Sequence, residues 1–350
     1  MSWKLFWAGL AIGAVFLVAT ARHTDVHQQM ALLRAIPASK AGWFVAGCAF
    51  HLAHLAGRSL RWRFLFAPPR PALPRLFSAL SIGYLYNNVV PRSGELVRML
   101  VVGKWVPELG FGGIGVTVAV ERLLDVLMVM SLALVVFAGS RFDAADVSST
   151  PAIIGAVGIA AVAIAATIAV VVAFPTRVRS LVTRLVARMP DRLRGPLGRF
   201  SDGIFGALDG LRSLRGGTGA IVVALCLLDF FFVNTSYRML SRAFGDAMIS
   251  VADTAFIMVG SGLGAMLPSG PGNVGTMVFF MAAAAARTSM APAAAAYAVA
   301  IFLTYYLVRT STGVVCLVVE TRRERHRAVP STTDERNRAL SADFPSDSPT

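Results

Sequence analysis

Residues 87–98, NNVVPRSGELVR, place Asn87, Asn88, Pro91, Arg92, Gly94, Glu95 and Arg98 at the end of LFSALSIGYLYNNVV, a stretch apolar enough to enter a bilayer. Pro91 has no N–H and clashes with the preceding turn, so it ends one helix. Ser93 is placed to cap the next, with Glu95 in its first turn. The N–H groups freed there, together with the positive end of the helix dipole, predict an anion cradle. Arg92 adds a planar, bidentate phosphate ligand and Arg98 a second. Asn87 and Asn88 supply neutral hydrogen bonds to a head group or to freed carbonyls.

A second break, MLPSGPGNVGT at 266–276, repeats the logic without charge. Pro268, Gly270, Pro271, Gly272 and Gly275 force a tight non-helical turn in which Asn273 is the only amide. A third feature is ERLLD, in which Glu121 and Asp125 stand at i and i+4 on one helix face, with Arg122 beside them. These acids lie about 12–18 Å along a helix that begins near residue 113, at a depth where a charge must be paired and face inward. Arg122, Arg92 and Arg98 are the expected partners. The pairing serves either structure alone or the handling of substrate or protons. Asp229, Asn234 and Arg238, in the apolar run 217–241, and Arg309, in the run 292–319, are secondary candidates. His51, His54 and Arg58 share a face by i, i+3, i+7 spacing. The histidines read as packing or pore-lining residues and Arg58 as a side chain that snorkels to the cytoplasm. Ser-His-Asp order, phosphate-binding loops and metal-ligand spacings are absent from the sequence, so neither a catalytic residue nor a metal or other cofactor is expected.

The elements that hold these residues follow from hydropathy. Over 350 residues the chain is 56% hydrophobic and only 15% charged, where soluble domains sit near a quarter charged. Six runs reach spanning length, at about 4–20, 41–66, 113–139, 151–174, 217–241 and 292–319. The first reads as an uncleaved first helix. Two further pairs, 76–90 with 93–106 and 252–267 with 273–288, are half-length pieces. The fold class is therefore all-α, a polytopic helical membrane bundle of about six spanning helices plus two re-entrant half-helix hairpins. The cysteines, Cys48, Cys226 and Cys316, lie in apolar runs and read as small core residues. A net charge of +14 fits the positive-inside bias of cytoplasmic loops, and so greasy a chain is not a nucleic-acid binder.

Charge orients the stack. The 58–75 segment carries five arginines and no acid, and 175–216 carries nine arginines against three aspartates, so both are expected in the cytoplasm. The 140–150 loop has one Arg and two Asp and is expected outside. Crossings then make 76–106 a hairpin entering from the cytoplasm and 252–288 one entering from outside. The resulting units, about 41–139 and 217–319, match element by element at an offset of 176 to 179 residues. This predicts an inverted internal repeat within a membrane-embedded domain at 1–320, joined by a basic connector at 175–216. Broken helices that meet in such a repeat are a transporter architecture. Residues 321–350, rich in Ser, Thr, Pro, Arg and Asp, read as a disordered tail. Both termini are expected in the cytoplasm.

Three motifs carry a resemblance. NNVVPRSGELVR resembles an Asn-rich P-x-R-x-G-E-x-x-R stretch, ERLLD resembles E-R-x-x-D, and PSGPGNVG resembles P-x-x-P-G-G-x-G. All belong to the flippase-like transmembrane region of lysylphosphatidylglycerol synthases and its stand-alone relatives. Here Arg92 follows Pro91 one residue sooner than in that pattern, Asn273 stands for the second glycine, and position 278 is Val where the family commonly has an acid. The resemblance implies lipid translocation or lipid handling. Only about 30 polar residues follow the last span, too few for an aminoacyl-transferase domain, which argues against aminoacyl transfer. The expectation is a flippase-like protein of the bacterial inner membrane whose partners are membrane lipids, either anionic or polyprenyl-phosphate-linked. The alternatives are a membrane-embedded lipid-modifying enzyme or its accessory subunit, and a scaffold without transport.

Overall fold

A computed structural model describes residues 3–66, 68, 70–90, 93–139, 177, 180, 183, 184, 217–267 and 269–328. Pro91, Arg92, Pro268, the 140–150 loop, the expected span at 151–174, most of 175–216 and residues 329–350 fall outside them. All regular structure among the described residues is helical. The elements are α1 (Trp3–His23), α2 (Val26–Arg34), α3 (Ala41–Phe64), α4 (Leu73–Val89), α5 (Gly94–Gly103), α6 (Gly110–Gly139), α7 (Gly217–Ser241), α8 (Val251–Met266), α9 (Val274–Ala285) and α10 (Ala294–Ala328).

Short helices lie where Pro and Gly interrupt the apolar runs. Helices α4 and α5, of 17 and 10 residues, fold against each other, and so do α8 and α9, of 16 and 12 residues. Helix α7 and the stretch 291–325 are long and apolar enough to cross a membrane by themselves. Large apolar side chains point outward around the bundle, with Val45 and Val135 each 68% exposed and Leu227 and Leu307 each 60%. Such a surface is costly in water and natural against lipid.

Among the described residues two large hydrophobic clusters, with a small third one of Leu55, Leu80, Tyr84 and Val308 between α3, α4 and α10, form the interior. One gathers Trp62, Leu76, Val102, Ile114, Val118 and Val222 from α3–α7. The other gathers Tyr237, Ile257, Met277, Met281, Tyr297 and Ile301 from α7–α10. Helix α3 packs along α7, α4 along α10, and α6 along α8. Helix α1 packs on α9, which builds the first helix into the fold.

Three elements differ from the expectations above. Helix α2 is polar and short, and was not legible from hydropathy. Asp25 caps it by accepting from the Gln28 N–H at 3.0 Å. Its Gln29 then accepts from the Ala296 N–H at 3.0 Å, covering the start of α10. Helix α10 runs on to Ala328, past the boundary at 320, because TRRERHRA is polar but rich in helix formers. Arg58 and Arg61 are helical and buried, 8% and 1% exposed, rather than part of a cytoplasmic loop. That leaves Arg63, Arg70 and Arg75 as the surface cations of that segment.

Glycines set how closely the short helices approach. A Cβ on Gly94 would lie 2.1 Å from the Gly83 carbonyl oxygen, and one on Gly275 would lie 2.0 Å from that of Gly13. Neither backbone can yield without moving a helix. Gly94→Ala and Gly275→Ala are each expected to destabilise by about 1–3 kcal/mol or more. Gly112→Ala, with nothing within 4 Å, is the matched control. Thermal unfolding in detergent measures all three, and equal midpoints would contradict the packing described here.

Candidate functional site: a charged cavity between the helix hairpins

The polar centre is built from side chains on four helices. On α3, His51, His54, Arg58 and Arg61 follow one another at i, i+3, i+7 and i+10, which is a single face. That face meets Glu121, Arg122 and Asp125 of α6, Glu95 and Arg98 of α5, and Asp229 of α7. Glu121 is fully buried. Its Oε1 accepts from Arg58 Nη2 at 2.9 Å and Nε at 3.2 Å, and its Oε2 accepts from Arg98. Arg98 also lies over the Trp62 ring at 4.1 Å. Asp125 accepts from Arg58, from Arg61 Nη2 at 2.5 Å and from Arg122 Nη1 at 3.5 Å. Arg122 also donates to Glu95. Asp229 bonds His54 Nδ1 at 2.5 Å and faces Arg61 Nη1 at 3.7 Å.

Buried charges survive only when paired and hydrogen-bonded. This arrangement pairs four arginines with four carboxylates. The expectation that Arg98 and Arg122 serve the ERLLD acids agrees with the geometry. The expectation that Arg58 snorkels to the surface does not, because Glu121 and Asp125 hold it inside. Continuing the i, i+3, i+7 series to i+10 would have found Arg61.

The network forms one side of a cavity of about 640 Å³. That volume falls in the range of sites for small molecules or head groups. Its polar lining includes Arg58, Arg61, Asn87, Asn88, Glu95, Arg122, Asp125, Asp229 and Arg309. Its apolar lining includes Val126, Met128, Val129 and Leu132 of α6, Phe230 and Val233 of α7, and Met258, Met266 and Met277. Charge at one part and an oily wall at another suit an amphiphile.

Both breaks face this cavity. At the first, Asn87 Oδ1 accepts from the Gly94 N–H at 2.7 Å and thereby caps α5. Ser93, the expected cap, turns the other way and donates to the carbonyls of Tyr86 and Val90 at 3.2 and 2.8 Å. Asn87 thus occupies the Gly94 N–H at the start of α5, and Glu95 in its first turn is engaged by Arg122. Asn88 donates to Thr310 Oγ1 at 2.9 Å. At the second break Gly272 has φ +65° and Asn273 φ +55°. Asn tolerates this left-handed backbone better than most residues, a physical reason for it to stand where glycine is usual. Asn273 accepts from Ser269 at 3.1 Å, and a Cβ on Gly272 would lie 3.8 Å from Asn88 Oδ1. The two breaks therefore approach each other through Asn88 and Gly272.

Other candidates stand apart. Gly94 and Gly275 serve helix contacts, Pro271 opens the short turn Pro271–Asn273, and Arg238 donates to the Ile249 carbonyl at 2.9 Å, outside the cavity lining. Asn234 donates to the Val251 carbonyl at 3.2 Å. Tyr84, Tyr237 and Tyr305 line the cavity and carried no signal in the sequence beyond resembling core aromatics. No group of three or more His, Cys, Asp and Glu side chains able to hold a metal ion occurs among the described residues.

An all-helical bundle with an outward apolar surface and a buried ionic cavity defines a membrane-embedded protein. Residues 6–313 match the family described as the lysylphosphatidylglycerol synthase TM region, and the chain belongs to that family. It matches no curated protein and no solved structure.

Proposed function

We propose that this protein is a lipid transporter rather than an enzyme, a flippase-like integral protein of the bacterial inner membrane that moves an anionic, phosphate-bearing lipid between leaflets. The observation that carries this reading is the cavity itself, a cationic polar side joined to an apolar wall between two helix hairpins. A lipid head group fits the first and its chains the second. Family membership supports a role in lipid handling.

The reading includes an inverted repeat with two re-entrant hairpins. What supports it is the pattern of helix contacts. Exchanging α3–α6 with α7–α10 keeps the α3–α7 pairing and turns α4–α10 into α8–α6. Each hairpin likewise turns into the other. Transporters built this way move one unit against the other around a fixed site. The 67–75 and 175–216 segments and both termini then face the cytoplasm.

The test is a reconstituted assay with fluorescent phosphatidylglycerol, read by quenching from the outer leaflet. Wild-type proteoliposomes are expected to exchange the probe faster than protein-free vesicles; equal rates would refute transport of this lipid class. Locking the hairpin should stop the exchange. Because Asn88 and Thr310 touch at 2.9 Å, cysteines there in a background free of Cys48, Cys226 and Cys316 are expected to cross-link α4 to α10. Oxidation should cut the exchange rate at least about tenfold and reduction should restore it. An oxidised, cross-linked protein that transports at full rate would show that α4 and α10 do not move apart.

A further inference from the structure

The charge of the cavity does not close on its own residues. Among the described residues of the cavity and the ion-pair network behind it, Arg58, Arg61, Arg98 and Arg122 are matched by Glu95, Glu121, Asp125 and Asp229. Arg309 is left over. It is 7% exposed, lines the cavity and has no carboxylate partner among the described residues. Its guanidinium lies 3.9 Å from the centre of the Tyr84 ring and 3.7 Å from that of Tyr305, and it donates to the Tyr305 hydroxyl. Two aromatic rings hold a cation in place and orient it. They do not neutralise it, and a buried charge without a counter-ion is costly.

Hydrogen bonding points to the same spot. Arg309 Nε, the Tyr84 hydroxyl and His51 Nε2 are all buried atoms without a hydrogen-bond partner, and all three residues line the cavity. His51 and Arg309 both flank Tyr305, the His51 ring at 5.5 Å. The remaining atoms of this kind belong to Arg61, Ser81 and Arg98. Buried polar groups are nearly always satisfied, so a cluster of unmet groups around one unmatched cation marks a ligand. The guanidinium and the tyrosine hydroxyl donate, and His51 does so as its Nε2–H tautomer. The missing partner is therefore an acceptor carrying negative charge.

We infer that Arg309, with Tyr84 and His51, is the anion-binding subsite of the cavity and takes a phosphate group of one net negative charge, which in a lipid is a phosphodiester. This rests on the lipid-transport reading above and assigns the head group to a place within it. Arg309 supplies charge and direction, Tyr84 and His51 complete the acceptor oxygens, and Tyr305 fixes the guanidinium plane. The paired arginines are engaged by the carboxylates that hold the cavity together.

The test is native mass spectrometry of the full chain in detergent, titrated separately with phosphatidylglycerol, with diacylglycerol of the same acyl chains, and with inorganic phosphate. Wild type is expected to bind phosphatidylglycerol at least about tenfold more tightly than diacylglycerol, the scale of one charge-assisted hydrogen-bond set. Arg309→Gln should lose that preference while its weak diacylglycerol binding stays unchanged. Arg309→Lys should keep part of it, and Tyr84→Phe should reduce it several-fold. Arg309→Gln with the wild-type preference would overturn the assignment. If that variant does not fold, wild-type preference in both Arg309→Lys and Tyr84→Phe overturns it equally. Wild type that does not distinguish the two lipids would instead refute the phosphate-lipid reading on which the inference rests. Inorganic phosphate that binds wild type as tightly as the lipid, and does not bind Arg309→Gln, keeps Arg309 as the anion group but overturns the lipid as its source.

Discussion

Glu121→Gln is expected to be among the most destabilising single substitutions in the chain. Glu121 has no exposed surface, and its carboxylate accepts from Arg58 and Arg98 while Arg61 stands 4.0 Å away. An amide of the same shape offers one acceptor where there were two and turns an N–H₂ toward a guanidinium. The arginines would keep their burial and lose their counter-charge. Breaking a buried ion pair from one side costs about 3–5 kcal/mol, most of it the penalty on the partner left behind. Thermal unfolding in detergent should show a large drop in midpoint. Pairing the change with Arg98→Met should recover part of it, because the second substitution removes one stranded charge. The coupling between the two sites is expected at about 0.5–3 kcal/mol, the range for residues that share a network. A wild-type midpoint for Glu121→Gln would mean that Glu121 is not the counter-ion described here.

What the sequence revealed about this site depended on distance along the chain. The interruptions were legible because Pro and Gly act locally, and the hairpins turn at the two breaks that carry them; α7 ends at residue 241, where hydropathy put it. The ERLLD acids were legible because i, i+4 spacing fixes a face. Their partners were less so. Arg58 and Arg61 lie 67 and 64 residues before Asp125, and in a one-dimensional reading they count as cytoplasmic charge. Only the packing of α3 on α6 and α7 turns them inward. The cap of α5 shows the same effect on a smaller scale. Ser93 is the residue a local rule selects, but the turn brings Asn87, seven residues upstream, onto the Gly94 N–H. Tyr84 and Tyr305 are indistinguishable from core aromatics until Arg309 is seen against both rings.

Arg58 offers the sharpest contrast between the two readings. A snorkelling arginine needs only a charge on a long stem, and lysine would replace it with little effect. In the structure Arg58 instead uses its plane. Nε and Nη2 donate to Glu121 Oε1, and Nη2 donates also to Asp125, so one guanidinium ties together two carboxylates that stand one helical turn apart. An ammonium is a point charge on a flexible chain and cannot reproduce that fork. Arg58→Lys is therefore expected to destabilise by about 1–3 kcal/mol, the cost of leaving buried acceptors partly unmet. Arg58→Gln, which removes the charge as well, should cost about 3–5 kcal/mol. Lipid exchange should fall in the same order, because Arg58 and Asp125 both line the cavity and a loosened network no longer fixes its shape. Thermal midpoints and exchange rates for the two variants decide between the readings. Lysine equal to arginine on both measures would return Arg58 to the membrane surface. A graded loss, with lysine between wild type and glutamine, would place it at the junction of α3 and α6, holding the two acids on which the cavity is built.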